Sequence, residues 1–123
     1  QNARLKAIKA DIRVNAGAPL KLDDVARRHS VSSSYVRALF NREGTSFTDY
    51  VLEQRLQRIF SILTSHQMPQ RSISDTAFRF GFNHLSWFYR AFKSRFGMTP
   101  GEARNLSSEH SHPASQSPNQ TEL

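Results

Sequence analysis

The chain has no cysteine among its 123 residues. That excludes a disulfide framework, a thiolate metal site and a thiol nucleophile. Long apolar runs are also missing. No stretch approaches the ~20 residues that a membrane span needs, and no signal peptide is visible, so a cytoplasmic location is expected. Strict apolar–polar alternation is absent too, and the chain reads as all-α. Apolar residues make up only 37%, and the deficit falls mostly near the C-terminus. From Asn105 onward the sequence NLSSEHSHPASQSPNQTEL offers almost nothing that packs. Residues 107–123 are expected to form a disordered tail.

What is present is positive charge. All seventeen Lys and Arg precede position 105, while two of the ten acids, Glu109 and Glu122, follow it, so the first 104 residues carry +9. Such a balance favours a polyanionic partner. The five histidines suggest no metal site. His29, His66 and His84 are scattered, and His110 and His112 lie in the tail without a third ligand, so no cofactor is expected. His84 and Ser86 sit two apart on one expected helix and diverge by about 200°, which rules out a catalytic dyad.

Residues 2–15 read as an amphipathic helix with Leu5, Ile8 and Ile12 at helical spacing, ended by Gly17 and Pro19. A short helix over 22–29 follows, then a turn over 30–32 and a helix over 33–43 that Gly44 stops. Ser46 and Asp49 fit a capping pattern for a long helix over 47–66. A loop around Pro69 leads to a second capping pattern, Ser72 to Asp75, and a short helix to about Phe80. Gly81 makes the turn, 84–96 the next helix, and Gly97 closes it. Thr99 as N-cap, Pro100 at the first helical position and Glu102 reaching back open the last helix. The aromatic residues Phe78, Phe80, Phe82, Phe88, Phe92 and Phe96 are expected mostly in the core. Tyr35 and Trp87 are expected to pack against a neighbouring helix.

Residues 22–44 and 73–97 repeat one another. Leu22 matches Ile73, Asp24 matches Asp75, Ala26 matches Ala77 and Arg28 matches Arg79. After one extra residue in the second turn, Ser34, Tyr35, Val36 and Phe40 match Ser86, Trp87, Phe88 and Phe92. Ala26 and Ala77 are small where two helices of a helix-turn-helix must approach closely. On the second helix of each unit, Val36, Leu39 and Phe40, or Phe88, Ala91 and Phe92, form the anchor side. The outer side then carries Ser34, Arg37, Ala38 and Asn41 in the first unit, and Ser86, Tyr89, Arg90 and Lys93 in the second. A helix with an apolar anchor face and a short polar, basic outer face suits the major groove of DNA.

The run Ile73, Asp75, Ala77, Gly81, Phe82, Ser86, Phe88, Arg90, Phe92, Lys93, Gly97, Thr99, Pro100 resembles the hallmark of the AraC/XylS transcription regulators, in their C-terminal DNA-binding domain. The resemblance covers roughly residues 5–105. It implies about seven helices: a first helix-turn-helix unit over 3–45, a long linker helix over 46–66 and a second unit over 72–106. It also implies recognition helices over 33–43 and 84–96, entering successive major-groove segments about 34 Å apart. This sequence departs from the pattern at Ser30, where a glycine is usual, at Ala38, where an arginine is common, and at Ile59 and Ala103.

On this reading Ser33, Ser34, Arg37, Asn41, His84, Leu85, Ser86, Tyr89 and Arg90 are candidates for base contacts, with Arg90 poised to be bidentate to a guanine. Arg42, Arg79, Lys93 and Arg104 are candidate phosphate contacts. The expected partner is double-stranded DNA. No membrane partner is expected, since no apolar run is long enough, and the resemblance further implies an activator that touches RNA polymerase, with an effector or dimerisation domain preceding this one in a longer parent chain. Two other classes compete. One is a helical protein-interaction module whose basic face meets an acidic partner. The other is a DNA-repair alkyl-transfer enzyme carrying this domain type, which needs the thiol that this chain lacks.

Overall fold

In the computed structural model the described residues are 2–65 and 71–111, with side-chain exposure through Leu106. They form seven helices and no strand: α1 (Ala3–Val14), α2 (Leu22–Arg28), α3 (Ser33–Asn41), α4 (Phe47–Leu63), α5 (Ile73–Arg79), α6 (Leu85–Phe96) and α7 (Pro100–Ser111). None is long and apolar enough to cross a membrane. The chain divides into two compact units, residues 1–58 and 59–123, with the boundary inside α4.

In the first unit Asn2 starts α1, its Oδ1 accepting from the backbone N–H of Arg4 and Leu5 at 2.8 and 3.0 Å. This satisfies two donors that a helix start leaves without partners. The expected stripe of Leu5, Ile8 and Ile12 is fully buried, together with Val25, Ala26, Val36, Leu39 and Phe40. Phe47 and Val51 of α4 complete this core. Phe40 meets Phe47 edge-on at 6.2 Å between ring centroids. Arg55 reaches from α4 to the carbonyls of Ala16 and Ala18 at 3.0 and 2.9 Å, tying down the chain between α1 and α2. Burial lowers the Arg55 pKa from its usual value.

The second unit is built around aromatic rings. Phe60 and Phe96 stack at 4.5 Å, Phe92 lies 4.8 Å from Phe96, and Phe88 lies 5.8 Å from Phe92. Phe88 and Phe92 are fully buried. Each such ring contributes roughly 1.5–3 kcal/mol by burial, and favourable ring pairs add about 0.5–1.5 kcal/mol. The last helix opens with a reciprocal box: the Glu102 N–H donates to Thr99 Oγ1 at 3.1 Å, and the Thr99 N–H to Glu102 Oε1 at 2.9 Å.

The two helix-turn-helix turns are built alike. In the first, the Ser30 N–H donates to the Arg27 carbonyl (3.1 Å) and the Val31 N–H to the Ala26 carbonyl (3.0 Å). In the second, Gly81 donates to Phe78 (3.0 Å) and Phe82 to Ala77 (3.1 Å). Both are the paired bonds that close a helix through a left-handed residue. Ser30 and Gly81 supply that residue. The second connection is one residue longer, as the repeat requires.

Several expectations are corrected. Helices α2 and α3 stop one or two residues early, with His29 and Arg42 as their C-caps. His84 precedes α6 as its N-cap rather than lying within it. Helix α4 ends at Leu63, and residues 66–70 of the expected loop fall outside the described residues. Phe78 is not core but 53% exposed. Thr76 and Ala77 take the buried positions of α5, and the Thr76 hydroxyl donates to the Ser72 carbonyl at 3.1 Å, which lets a polar side chain be buried. Helix α7 continues to Ser111, beyond the expected limit at 106. Its capped start propagates through a sequence with no proline before Pro113 and no glycine after Gly101. Residues 112–123 of the expected tail fall outside the described residues.

Candidate nucleic-acid interface

Helices α3 and α6 are each pinned on one side. Val36, Leu39 and Phe40 bury one face of α3, and Phe88 and Phe92 one face of α6. Helical periodicity then turns Ser34, Arg37, Ala38 and Asn41 of α3 outward, and Ser86, Tyr89, Arg90 and Lys93 of α6. All eight are exposed. His84 is exposed at the start of α6, its side chain making no capping hydrogen bond, and Leu85 is half-buried. Arg42, at the end of α3, is also exposed.

The cations divide by whether the chain itself satisfies them. Arg28 clamps Asp11 through Nε and Nη2 at 2.9–3.2 Å. Arg79 lies 3.3 Å from Asp75, which also holds Arg71 at 3.3 Å. Arg28 and Arg79 are equivalent in the repeat, and each is tied to a carboxylate. Lys9 pairs with Glu43 and Arg27 with Asp24. Arg4, Arg13, Arg55 and Arg58 donate to carbonyl or hydroxyl oxygens. Arg95 lies over the Phe96 ring. Among the described residues, Arg37, Arg42, Arg90 and Lys93 make no such contact, and all four belong to α3, its cap or α6. Two further lysines, Lys6 on α1 and Lys21 just before α2, are likewise exposed and without one.

Three of the residues singled out from the sequence differ from the simple outward-facing picture. Ser33 is half-buried and its hydroxyl donates to Asp23 Oδ1, while Ser32 is the residue that caps α3, accepting from the Tyr35 N–H at 3.0 Å. Arg79 is engaged by Asp75. Arg104 is half-buried and donates to the Arg71 carbonyl. The pairing of Arg79 four residues after Asp75 follows a spacing visible in the sequence. The other two contacts span larger separations and carry no local signal.

Tyr35 and Trp87, expected to pack away, are 38% and 46% exposed. Trp87 still rests on Phe82 at 5.7 Å. In the first unit, Arg37 and Asn41 face a cleft completed by Leu20, Leu22, Ser46, Phe47 and Thr48.

A family model described as a helix-turn-helix domain matches residues 25–106. The transcriptional activator RhrA of Rhizobium meliloti (strain 1021) is 36% identical over 104 residues, covering 84% of this chain and 33% of that protein. The urease operon transcriptional activator of Escherichia coli is 33% identical over 92 residues, covering 75% and 30%. The chain thus spans about a third of the length of these curated relatives. Among solved structures, an AraC-type DNA-binding domain-containing transcriptional regulator from Chromobacterium violaceum superposes with a TM-score of 0.76 at 29% identity, covering 86% of this chain and 93% of that one. A probable AraC family regulator from Rhodopseudomonas palustris CGA009 has a TM-score of 0.78 at 22% identity, covering 86% and 98%, a likeness of fold.

Proposed function

Since this chain belongs to the AraC-type helix-turn-helix family of transcription regulators, we propose that it binds double-stranded DNA sequence-specifically through α3 and α6, each in the major groove. The observation that carries this reading is the set of exposed cations on α3, its cap and α6 that have no partner among the described residues: Arg37, Arg42, Arg90 and Lys93. A guanidinium with all its donors open is suited to bidentate contact with guanine O6 and N7. Arg90 and Arg37 take that role. Ser33 at the start of α3, with Ser34, Asn41, His84, Leu85, Ser86 and Tyr89, completes the base contacts. Leu85 meets a thymine methyl. Lys93 and Arg42, toward the helix ends, neutralise phosphates.

Arg79 and Arg104 are weaker phosphate contacts in this scheme, because each already has a partner within the chain. Activation through contact with RNA polymerase is part of the proposal. It draws support from the names of the two relatives, both activators. An effector or dimerisation domain in a longer parent chain fits the one-third coverage of those relatives.

The test is a duplex titration with nonspecific competitor across a salt series. With the four proposed phosphate contacts, the log–log slope of affinity against salt is expected at about −4. A slope near zero, with binding to an acidic protein instead, would favour the protein-interaction module.

A further inference from the structure

Asp23 and Ser33 make a contact that the second unit cannot copy. Ser33 is the first residue of α3, and its hydroxyl donates to the carboxylate of Asp23 on α2. The N-terminal cap is supplied by Ser32, so the Ser33 side chain is not needed to satisfy the backbone. In the repeat, Asp23 corresponds to Ser74 and Ser33 to Leu85, a pair that cannot form a hydroxyl–carboxylate bond.

A serine hydroxyl has one proton and two lone pairs, and normally reads donors and acceptors alike. An ionised carboxylate only accepts. With its proton held by Asp23, Ser33 meets any further partner as an acceptor. In the major groove the base donors are the amino groups, N4 of cytosine and N6 of adenine. Guanine offers O6 and N7, and thymine O4, all acceptors.

We infer that Asp23 is a positioning residue that fixes Ser33 as a reader of amino-bearing bases, giving the first unit a preference for adenine or cytosine at one base position. The inference rests on the proposed placement of α3 in the major groove. Asp23 itself touches no base. It converts an ambivalent hydroxyl into a directional one. The second unit, with Leu85 at the equivalent place, has no such device.

The experiment is in vitro selection of duplexes from a randomised pool with the whole chain and with Ser33→Ala, Asp23→Ala and Asp23→Asn. The unaltered chain is expected to favour adenine or cytosine over guanine and thymine at one position by roughly three- to tenfold, the range of a single hydrogen bond. Ser33→Ala flattens that position alone. Asp23→Ala releases the hydroxyl proton and flattens the same position. Asp23→Asn removes the charge but keeps an acceptor oxygen, and retains the preference.

If both Asp23 variants bind every duplex more tightly with an unmoved profile, Asp23 acts only through its charge and the inference is overturned. If Asp23→Ala lowers the melting temperature and blurs all the positions read by the first unit, its role is structural and the inference is likewise overturned. If the unaltered chain enriches no duplex at all, the proposed function fails first, an outcome distinct from enrichment with an unmoved profile.

Discussion

Ser30 and Gly81 occupy the same point of two equivalent turns, with φ of 59° and 89°. Ser30 is the only non-glycine with positive φ among the described residues. A side chain in the left-handed region costs roughly 1–2 kcal/mol, whereas glycine adopts it freely at a smaller entropic cost. Ser30→Gly is therefore expected to stabilise the first unit by about 0.5–1 kcal/mol, and Gly81→Ala to destabilise the second by about 1–2 kcal/mol. Denaturant titration of both variants checks the opposite signs.

Asp11 provides a pH-dependent tie between α1 and the end of α2. Burial raises its pKa, but hydrogen bonds from Arg28, His29 and Asn15, with the Arg28 charge, outweigh this and hold it below the ordinary value. A depressed carboxylate adds stability that is complete above its unfolded pKa, about 3.9, and is lost as pH falls through the folded value. The stability gap between the unaltered chain and Asp11→Asn should be constant near neutrality and close below about pH 4. A gap that widens in acid would contradict this sign.

Phe92 and Phe78 contrast two aromatic positions of one unit. Phe92 is fully buried between Phe88 and Phe96. Phe92→Ala should cost about 3–5 kcal/mol. Phe78→Ala, at an exposed position, should stay within about 0.5 kcal/mol. Melting curves of the two variants distinguish them.

Arg90 and Lys93 separate reading from holding. Arg90→Ala should weaken specific binding by about 1–3 kcal/mol and relax base preference at one or two positions. Lys93→Ala should weaken binding to all sequences alike and flatten the salt slope by about one unit. Selected-site profiles decide it. An Arg90→Ala variant that keeps every base preference would make Arg90 a phosphate contact.

The parts of the fold written in local code were legible in the sequence. Ser72 accepts from the Asp75 N–H at 2.9 Å, and Thr99 and Glu102 cap each other, as their spacings imply. Gly81 and Gly97 adopt positive φ where a turn and a helix end are expected. Leu5, Ile8 and Ile12 are buried as their period demands. What stayed hidden depends on the third dimension. Aromatic character alone places Phe78 in the core, but the burial of Thr76 and Ala77 decides which way α5 faces. The Ser33–Asp23 bond spans ten residues and exists only because the turn brings two helix starts together. The reach of Arg104 to Arg71 spans thirty-three. The end of α7 escapes a compositional reading, because composition describes packing ability, whereas helix continuation needs only the absence of a breaker.

The division of the cations has a chromatographic consequence. Lys9, Arg27, Arg28, Arg71 and Arg79 each face a carboxylate of the same chain, so their fields close locally and project little into solution. A sulfated polymer on a column should then hold this protein by the cations outside these pairs, those of α3 and α6 among them. Removing a whole pair, Arg27 together with Asp24, would move elution little, while neutralising Arg37 or Arg90 would advance it clearly.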